Sequence, residues 1–301
     1  MDVLILNRDE VEQLLDLGEL LAGLRSGFNR LADGGVTAPH RNELTTSDGF
    51  LLGMPGRIDG LMTVKVVTVF ERHVPSHLAT IGLYEPTTGA CQAFMDGTYI
   101  TAIRTSAAAA VAADVLARRD ARTLTIIGAG VQGEHHLQTF PLVREFDEIR
   151  ISSLYPEDAH RLATLHPRAH AVDDSEAAVR GADVVALATH AAQPVIRSEW
   201  IAPGTHVSSV GYHPPDGELP RDLLDRASLF VETMEAFEPP PVGCAELDSE
   251  RDATVIARGR RSSDDEITIY KAMGHVMEDI VAAELVYARA LQTGAGMTIS
   301  L

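Results

Sequence analysis

The sequence predicts an α/β protein, with a doubly wound parallel sheet in one domain and a mixed α+β arrangement in another. Three observations carry this prediction. From about residue 121, short apolar runs alternate with helix-like segments, the rhythm of a parallel sheet whose strands are joined by helices. The first of those runs leads into three spaced glycines, in "TLTIIGAGVQGEHHL" at 123–137. Before residue 121, strand-like runs follow one another with only turn residues between them, and a long helical segment stands at each end.

Taken in order, residues 9–32 carry apolar residues at helical spacing with Gly34 and Gly35 behind them, which predicts one helix and its stop. "GFLLGMPG", "LMTVKVVTVF", "LATIGLYEPTTG" and "ACQAFMDG" predict strands. "TYITAIRTSAAAAVAADVLARR" predicts an alanine-rich helix of high propensity. Past the glycine loop, "EIRISSL", "RAHAVD", "DVVALATH", "HVSSVG" and "SLFVET" predict strands. "PEDAHRLATLH", with Pro156 at its start, "SEAAVRGA" and "RDLLDRA" predict helices. "HVMEDIVAAELVYARALQTG" predicts one amphipathic helix packing back on the first domain. The expected division is therefore 1–119 with 272–301 as one domain and 120–271 as the other.

Composition narrows the function. A chain of 301 residues with 45% hydrophobic and 23% charged residues has ample material for a globular core. Its formal charge of -18 speaks against nucleic acid and anionic membranes as partners. Cys91 and Cys244 form neither a CxxC pair nor a framework, which fits a reducing compartment. No apolar run of about 18 residues reads as a bilayer span, and "MDVLILNRDEVEQLL" lacks the marks of a signal peptide. The expectation is a cytoplasmic protein. No metal site is expected either: "GEHHL" is not HExxH, and His73 and His77 straddle a proline. Nothing resembles GxSxG, the mark of a serine hydrolase.

Of the 25 lysine and arginine residues only two are lysines, Lys65 and Lys271. Lys65 interrupts an apolar, β-branched run that reads as a buried strand, and a lysine is seldom buried without a partner or a task. Lys271, in "ITIYKAMGH", stands either at a cofactor cleft or at a hinge.

The glycine loop has the context that a dinucleotide site requires, with a strand before it, a helix after it and a βαβ unit around it. Gly128 allows the tight turn, Gly130 lets the backbone approach a pyrophosphate, and Gly133 lets helix and strand pack closely. The helix N-terminus faces the negative charge. The expectation is a Rossmann arrangement, with an ordinary strand-turn-helix as the alternative. The place about 20 residues on, where an acid would hold the ribose of NAD, is taken by Ser153; Ser152 and Leu154 are not acidic either. That tilts the expectation from NAD toward NADP, although no arginine follows at once to clamp a 2′-phosphate.

Together "APHRNEL", "VKVVTVF", "DGTYITAIRTSAAAA", "TIIGAGVQG", "RGADVVALAT", "PGTHVSSVG" and "ITIYKAMGHVMED" resemble the ornithine cyclodeaminase/μ-crystallin family over essentially the whole chain. The resemblance implies a substrate-binding and dimerisation domain beside a Rossmann domain, and a homodimer. It implies that Arg41 and Arg104 bind a substrate carboxylate and that Lys65 stands beside the reacting carbon and nitrogen. A guanidinium fork suits a carboxylate, and a lysine crowded by two arginines has its pKa lowered toward neutrality, where it can move a proton. Cofactor contacts are implied at Gly128, Gly130, Val131, Gln132 and Gly133, at Ser153, Thr105 and Thr189, and at Lys271.

The chain departs from the family in one place. Cyclodeaminases carry an aspartate soon after the "VG" that closes a strand; here the matching residue is His213. His213 is either a substitute acid/base or a loop histidine without chemistry. The leading expectation is an NAD(P)-dependent oxidoreductase acting on the carbon–nitrogen bond of a small amino or imino acid, of the ketimine reductase or amino-acid dehydrogenase type. An ammonia-eliminating cyclodeaminase and a non-catalytic nucleotide-binding protein are the alternatives.

Overall fold

The computed structural model describes residues 2–301 except Tyr212, Pro241, Ala245 and 248–251. The chain begins with β1 (Asp2–Leu6), α1 (Arg8–Leu14), α2 (Leu17–Ala32), β2 (Val36–Thr37) and β3 (Asn42–Thr45). Next come β4 (Phe50–Ile58), β5 (Leu61–Val69), β6 (His77–Tyr84), β7 (Cys91–Asp96) and α3 (Thr98–Leu116). The alternating part runs β8 (Thr123–Ile127), α4 (Val131–Val143), β9 (Glu148–Ser152), α5 (Pro156–Ala163), β10 (Ala169–Ala171), α6 (Ser175–Val179) and β11 (Val184–Leu187). It continues through β12 (His206–Ser209), α7 (Arg221–Leu224), β13 (Ser228–Val231), β14 (Thr254–Val255) and β15 (Thr268–Lys271). α8 (Val276–Thr293) and β16 (Met297–Ser300) close the chain. Two compact units result, residues 1–104 with 275–301 and residues 105–274.

In the first unit the strands lie in the order β16-β1-β7-β6-β5-β4-β2, with β3 paired to β4. β4 to β7 form an antiparallel meander, β1 adds in parallel to β7, and β16 adds antiparallel to β1. Neither β1 nor β16 was expected, because each is short and completes the sheet only by pairing with residues far away in the chain. The helix expected over 9–32 is two helices. Asp16 caps a fresh one by accepting from the Glu19 amide at 2.8 Å, while Leu15 is extended. α8 packs on β4 and β5, and α2 on α8. The inward residues of β5, namely Thr63, Lys65, Val67 and Val69, are buried beneath this layer. On the opposite face, Leu51 and Leu78 flank Thr68, while Phe94 and Met297 flank Ile5, in two cross-strand rows. Leu51, Leu78, Phe94 and Met297 are exposed.

The second unit is a wholly parallel sheet among the described residues, in the order β10-β9-β8-β11-β12-β15-β13-β14. Its first five strands in the chain take the places 3-2-1-4-5 of a Rossmann sheet, and β15 takes the sixth. β11, β12 and β15 are buried at every position, as befits strands covered on both faces.

The division falls at Arg104/Thr105, inside α3, whereas the sequence placed it after residue 119. The end of α3 belongs to the second unit because arginines of that unit satisfy its last carbonyls. Arg261 Nε donates to the Leu116 carbonyl at 2.8 Å, and Arg144 donates to the Asp114 carbonyl at 3.3 Å. One further reading is corrected here. α3 is long and apolar enough, by length and composition, to cross a membrane, but it is a largely buried core helix.

Candidate active site

In the first unit the inward face of β5 carries Lys65, 1% exposed. Its Nζ lies 2.7 Å from Asp279 Oδ2, and Asp279 Oδ1 accepts from Arg104 Nε at 3.1 Å. Arg104 also donates to Glu278 Oε2. Both acids sit in the first turn of α8, where the helix dipole favours negative charge. His275 caps that turn, its Nδ1 accepting from the Met277 amide at 3.1 Å. The cap makes Nδ1 an acceptor and fixes where the two carboxylates begin.

Burial, the Arg104 guanidinium beside it and the more remote Arg41 together bring the Lys65 pKa down from 10.5 to about 8, against the opposing pull of Asp279. Arg41, half-buried just before β3, is thus close enough to be felt at the lysine. Lys65 and Arg104 are bonded to Asp279 and Glu278, and Arg41 adds a positive field at the lysine. A carboxylate entering there would meet a planar guanidinium fork and a lysine able to gain or lose a proton near neutral pH.

In the second unit β8 runs into the glycine loop. Gly128 has φ +109°, a conformation for glycine, and a Cβ there would strike the Ala188 carbonyl. A Cβ on Gly133 would collide with the carbonyl oxygen of Gly128. Gly130, the N-cap of α4, differs: a Cβ there would meet nothing within 4 Å and would fill open space in front of the helix. Next to it, the Gln132 Oε1 is buried without a hydrogen-bond partner, and Val131 is exposed. Open space in front of a helix N-terminus, with glycine backbone able to approach closely, fits a dinucleotide diphosphate. Ser153 follows β9 and is half-buried, ahead of the exposed Leu154 and Tyr155. Thr189 follows β11; Thr105 follows Arg104 on α3.

The structure thus joins Lys65, Arg104 and Arg41 in one electrostatic cluster, and gathers the glycine-loop residues at the end of β8. Lys271 is a different matter. Its ammonium is buried at the end of β15 and donates to Ser209 Oγ at 3.1 Å, the Gly211 carbonyl at 2.6 Å and Glu246 Oε1 at 2.9 Å. Burial alone would push its pKa down, but the charges of Cys244, Glu246 and Glu218 outweigh burial and raise it. His213 is half-buried in the segment after β12, its ring 4.3 Å from that of His190.

Sequence reasoning missed Glu278, Asp279, Glu218 and Glu246, all buried. One signal was available for the first two: adjacent acids inside "HVMEDIVAAEL", on a helix otherwise apolar for two turns. Nothing comparable marked Glu218 or Glu246, which lie in irregular segments.

The ornithine cyclodeaminase/mu-crystallin family model matches residues 1–294. The ketimine reductase mu-crystallin of Mus musculus is 34% identical over 300 residues, covering 94% of this chain and 96% of that protein. Among solved structures, the Delta(1)-pyrroline-2-carboxylate reductase of Thermococcus litoralis in complex with NADH and L-proline superposes with a TM-score of 0.92 at 30% identity, over 99% of this chain and 100% of that one. An archaeal alanine dehydrogenase dimer with bound NAD superposes with a TM-score of 0.93 at 28% identity, over the whole of both chains.

Proposed function

The chain belongs to the ornithine cyclodeaminase/mu-crystallin family, and from that premise we propose that it is an NAD(P)-dependent reductase of small cyclic imino acids, able to run the reverse oxidation. The observation that carries the reading is the buried lysine held near neutrality between a guanidinium and a carboxylate. When bound, the nicotinamide supplies the hydride. Arg104 and Arg41 grip the substrate carboxylate and so orient the C=N bond. Lys65 gives a proton to the imine nitrogen as the carbon receives hydride, and solvent reprotonates the lysine afterwards. The product is the secondary amino acid. In the reverse direction neutral Lys65 accepts the proton that the amine nitrogen loses.

The residues holding the dinucleotide are Gly128, Gly130, Val131, Gln132 and Gly133 at the diphosphate, with Ser153 toward the adenosine ribose and Thr189 toward the other half of the sheet. Ser153 places no carboxylate where a 2′-phosphate would sit; on that ground NADPH is taken at least as readily as NADH. His213 stands where a cyclodeaminase has its aspartate, which favours net reduction over ammonia loss.

The chain also works as a homodimer in this reading. Leu51, Leu78, Phe94 and Met297 form an exposed apolar sheet face of the kind that marks an interface, and one relative's structure is a dimer. The test of the chemistry follows nicotinamide absorbance with purified protein, NADPH or NADH, and Δ1-pyrroline-2-carboxylate or its six-membered homologue. Oxidation of the cofactor that vanishes in Lys65→Ala is the expected result. Absence of oxidation with every cyclic imine overturns the proposal.

A further inference from the structure

The proposed chemistry leaves unused a buried charged network that lies wholly within the parallel-sheet unit. Glu218, fully buried, has both carboxylate oxygens filled. Oε2 accepts from the Thr189 amide at 2.8 Å and the Thr189 hydroxyl at 2.6 Å. Oε1 accepts from the Ser209 hydroxyl at 2.9 Å and the Gly211 amide at 2.6 Å. Thr189 lies just past the carboxyl end of β11, and Gly211 just past that of β12. A single side chain therefore clasps the ends of two neighbouring parallel strands. Its backbone carbonyl also accepts from the Val195 amide at 3.0 Å, tying down the segment that leaves β11.

The clasp extends to a third strand. The Ser209 hydroxyl that donates to Glu218 also accepts from Lys271, at the end of β15, and Lys271 in turn holds the Gly211 carbonyl and Glu246. A Cβ on Gly211 would run into the Glu218 carboxylate and the Thr189 carbonyl, so the strand ends are packed with no slack. Burying an ammonium and two carboxylates is a poor route to stability, since apolar side chains of similar volume would join the strands as well. What charged hydrogen bonds supply and apolar contact does not is a fixed direction for individual main-chain groups.

The place of these strands says what is being fixed. With β8 at the diphosphate, the β9–β10 side of the sheet is the adenosine half of a Rossmann site, and the β11–β12–β15 side is the nicotinamide half. We propose that Glu218 is a positioning residue for the nicotinamide half-site, acting through Thr189 and Gly211 without touching a reacting atom. The inference rests on the dinucleotide-binding reading above.

The test is a fluorescence or calorimetric titration of the full-length protein with NADPH, NADH and ADP. Wild type is measured first, then Glu218→Gln, in which an amide nitrogen replaces an oxygen that must accept. The variant is expected to bind the preferred dinucleotide about tenfold or more weakly, because groups at Thr189 and Gly211 that are no longer held in direction cost about one hydrogen bond to the dinucleotide, while its affinity for ADP stays unchanged. ADP carries no nicotinamide, so a general loosening of the fold would weaken both. Equal losses for dinucleotide and ADP, or no loss for either, overturn the assignment of Glu218. If Glu218→Gln does not fold, Ser209→Ala, which removes only the hydroxyl shared by Glu218 and Lys271, carries the same comparison, and the same outcomes support or overturn the assignment. Wild type that binds ADP but neither dinucleotide overturns the reading beneath the proposal, and is seen before any variant is made.

Discussion

Replacing Asp279 with asparagine isolates the electrostatics on which the proposed proton transfer depends. Asparagine keeps the Oδ1 that accepts from Arg104 Nε, so the guanidinium stays in place. What disappears is a negative charge 2.7 Å from Lys65 Nζ. An opposite charge at such range raises a lysine pKa by about 1–3, a differential interaction of about 1.4–4 kcal/mol. Without it, burial and the guanidiniums act unopposed, and Lys65 falls from about 8 to about 5–7. Reduction requires the protonated lysine, so activity is lost as pH rises through that pKa. At pH 7 the protonated fraction drops from about nine-tenths to between about one-half and one-hundredth, which lowers the reduction rate about two- to ninety-fold.

The assay is kcat/KM for imine reduction from pH 5 to pH 10. Wild type should lose activity above about pH 8, and Asp279→Asn should begin to lose it lower, below about pH 7. The reverse oxidation should shift oppositely, gaining at neutral pH in the variant because more lysine is neutral there. A melting curve verifies that the variant is folded. A folded variant whose alkaline limb remains near pH 8 refutes the reasoning, since Asp279 would then have no hold on the proton donor.

Three further outcomes are expected. Gly130→Val should leave the melting temperature nearly unchanged, because its side chain enters open space, yet abolish dinucleotide binding; Gly133→Ala should instead lower the melting temperature by several degrees, as overpacking of about 1–3 kcal/mol against the Gly128 carbonyl implies. Phe94→Glu should convert a dimer to a monomer in light scattering after gel filtration, and a monomeric wild type would refute the interface. Acid should weaken the second unit through two buried neutral histidines. Burial holds His136 down to about 4 and His206 to about 3, from 6.5. The unfolded chain therefore takes up protons that the folded chain refuses, and stability falls as pH drops below 6.5 by about 1.4 kcal/mol per pH unit for each histidine. Chemical denaturation of His206→Gln should show about half this pH dependence.

The alternation of strand and helix after residue 121 was legible because a buried parallel strand must be apolar along its whole length, as in "VVAL" at 184–187. The meander from β4 to β7 was legible for a related reason, since its turns carry glycine and proline. β1 and β16 were not. Each has only four or five residues, and each becomes a strand only through partners far away in the chain, β7 and β16 for β1 and β1 for β16. The break at Leu15–Asp16 was hidden by helical periodicity continuing across it. There a local interaction, the Asp16 carboxylate on the Glu19 amide, overrides the pattern.

The two lysines show where such reading of a site ends. In the sequence each interrupts an apolar run, and nothing local separates them. In the fold they are pushed in opposite directions. Lys65 meets one carboxylate and two guanidiniums, and its charge becomes easy to remove. Lys271 meets Glu246, Glu218 and Cys244, and its charge is locked in. The difference lies in Asp279, Glu218 and Glu246, which reach the lysines from other elements; Asp279 is 214 positions from Lys65 in the chain. A residue type in an apolar run says that a charge is buried, but only its partners say whether that charge can move. Lys65 is accordingly suited to proton transfer, and Lys271, with three internal acceptors and a raised pKa, is suited to holding strand ends together.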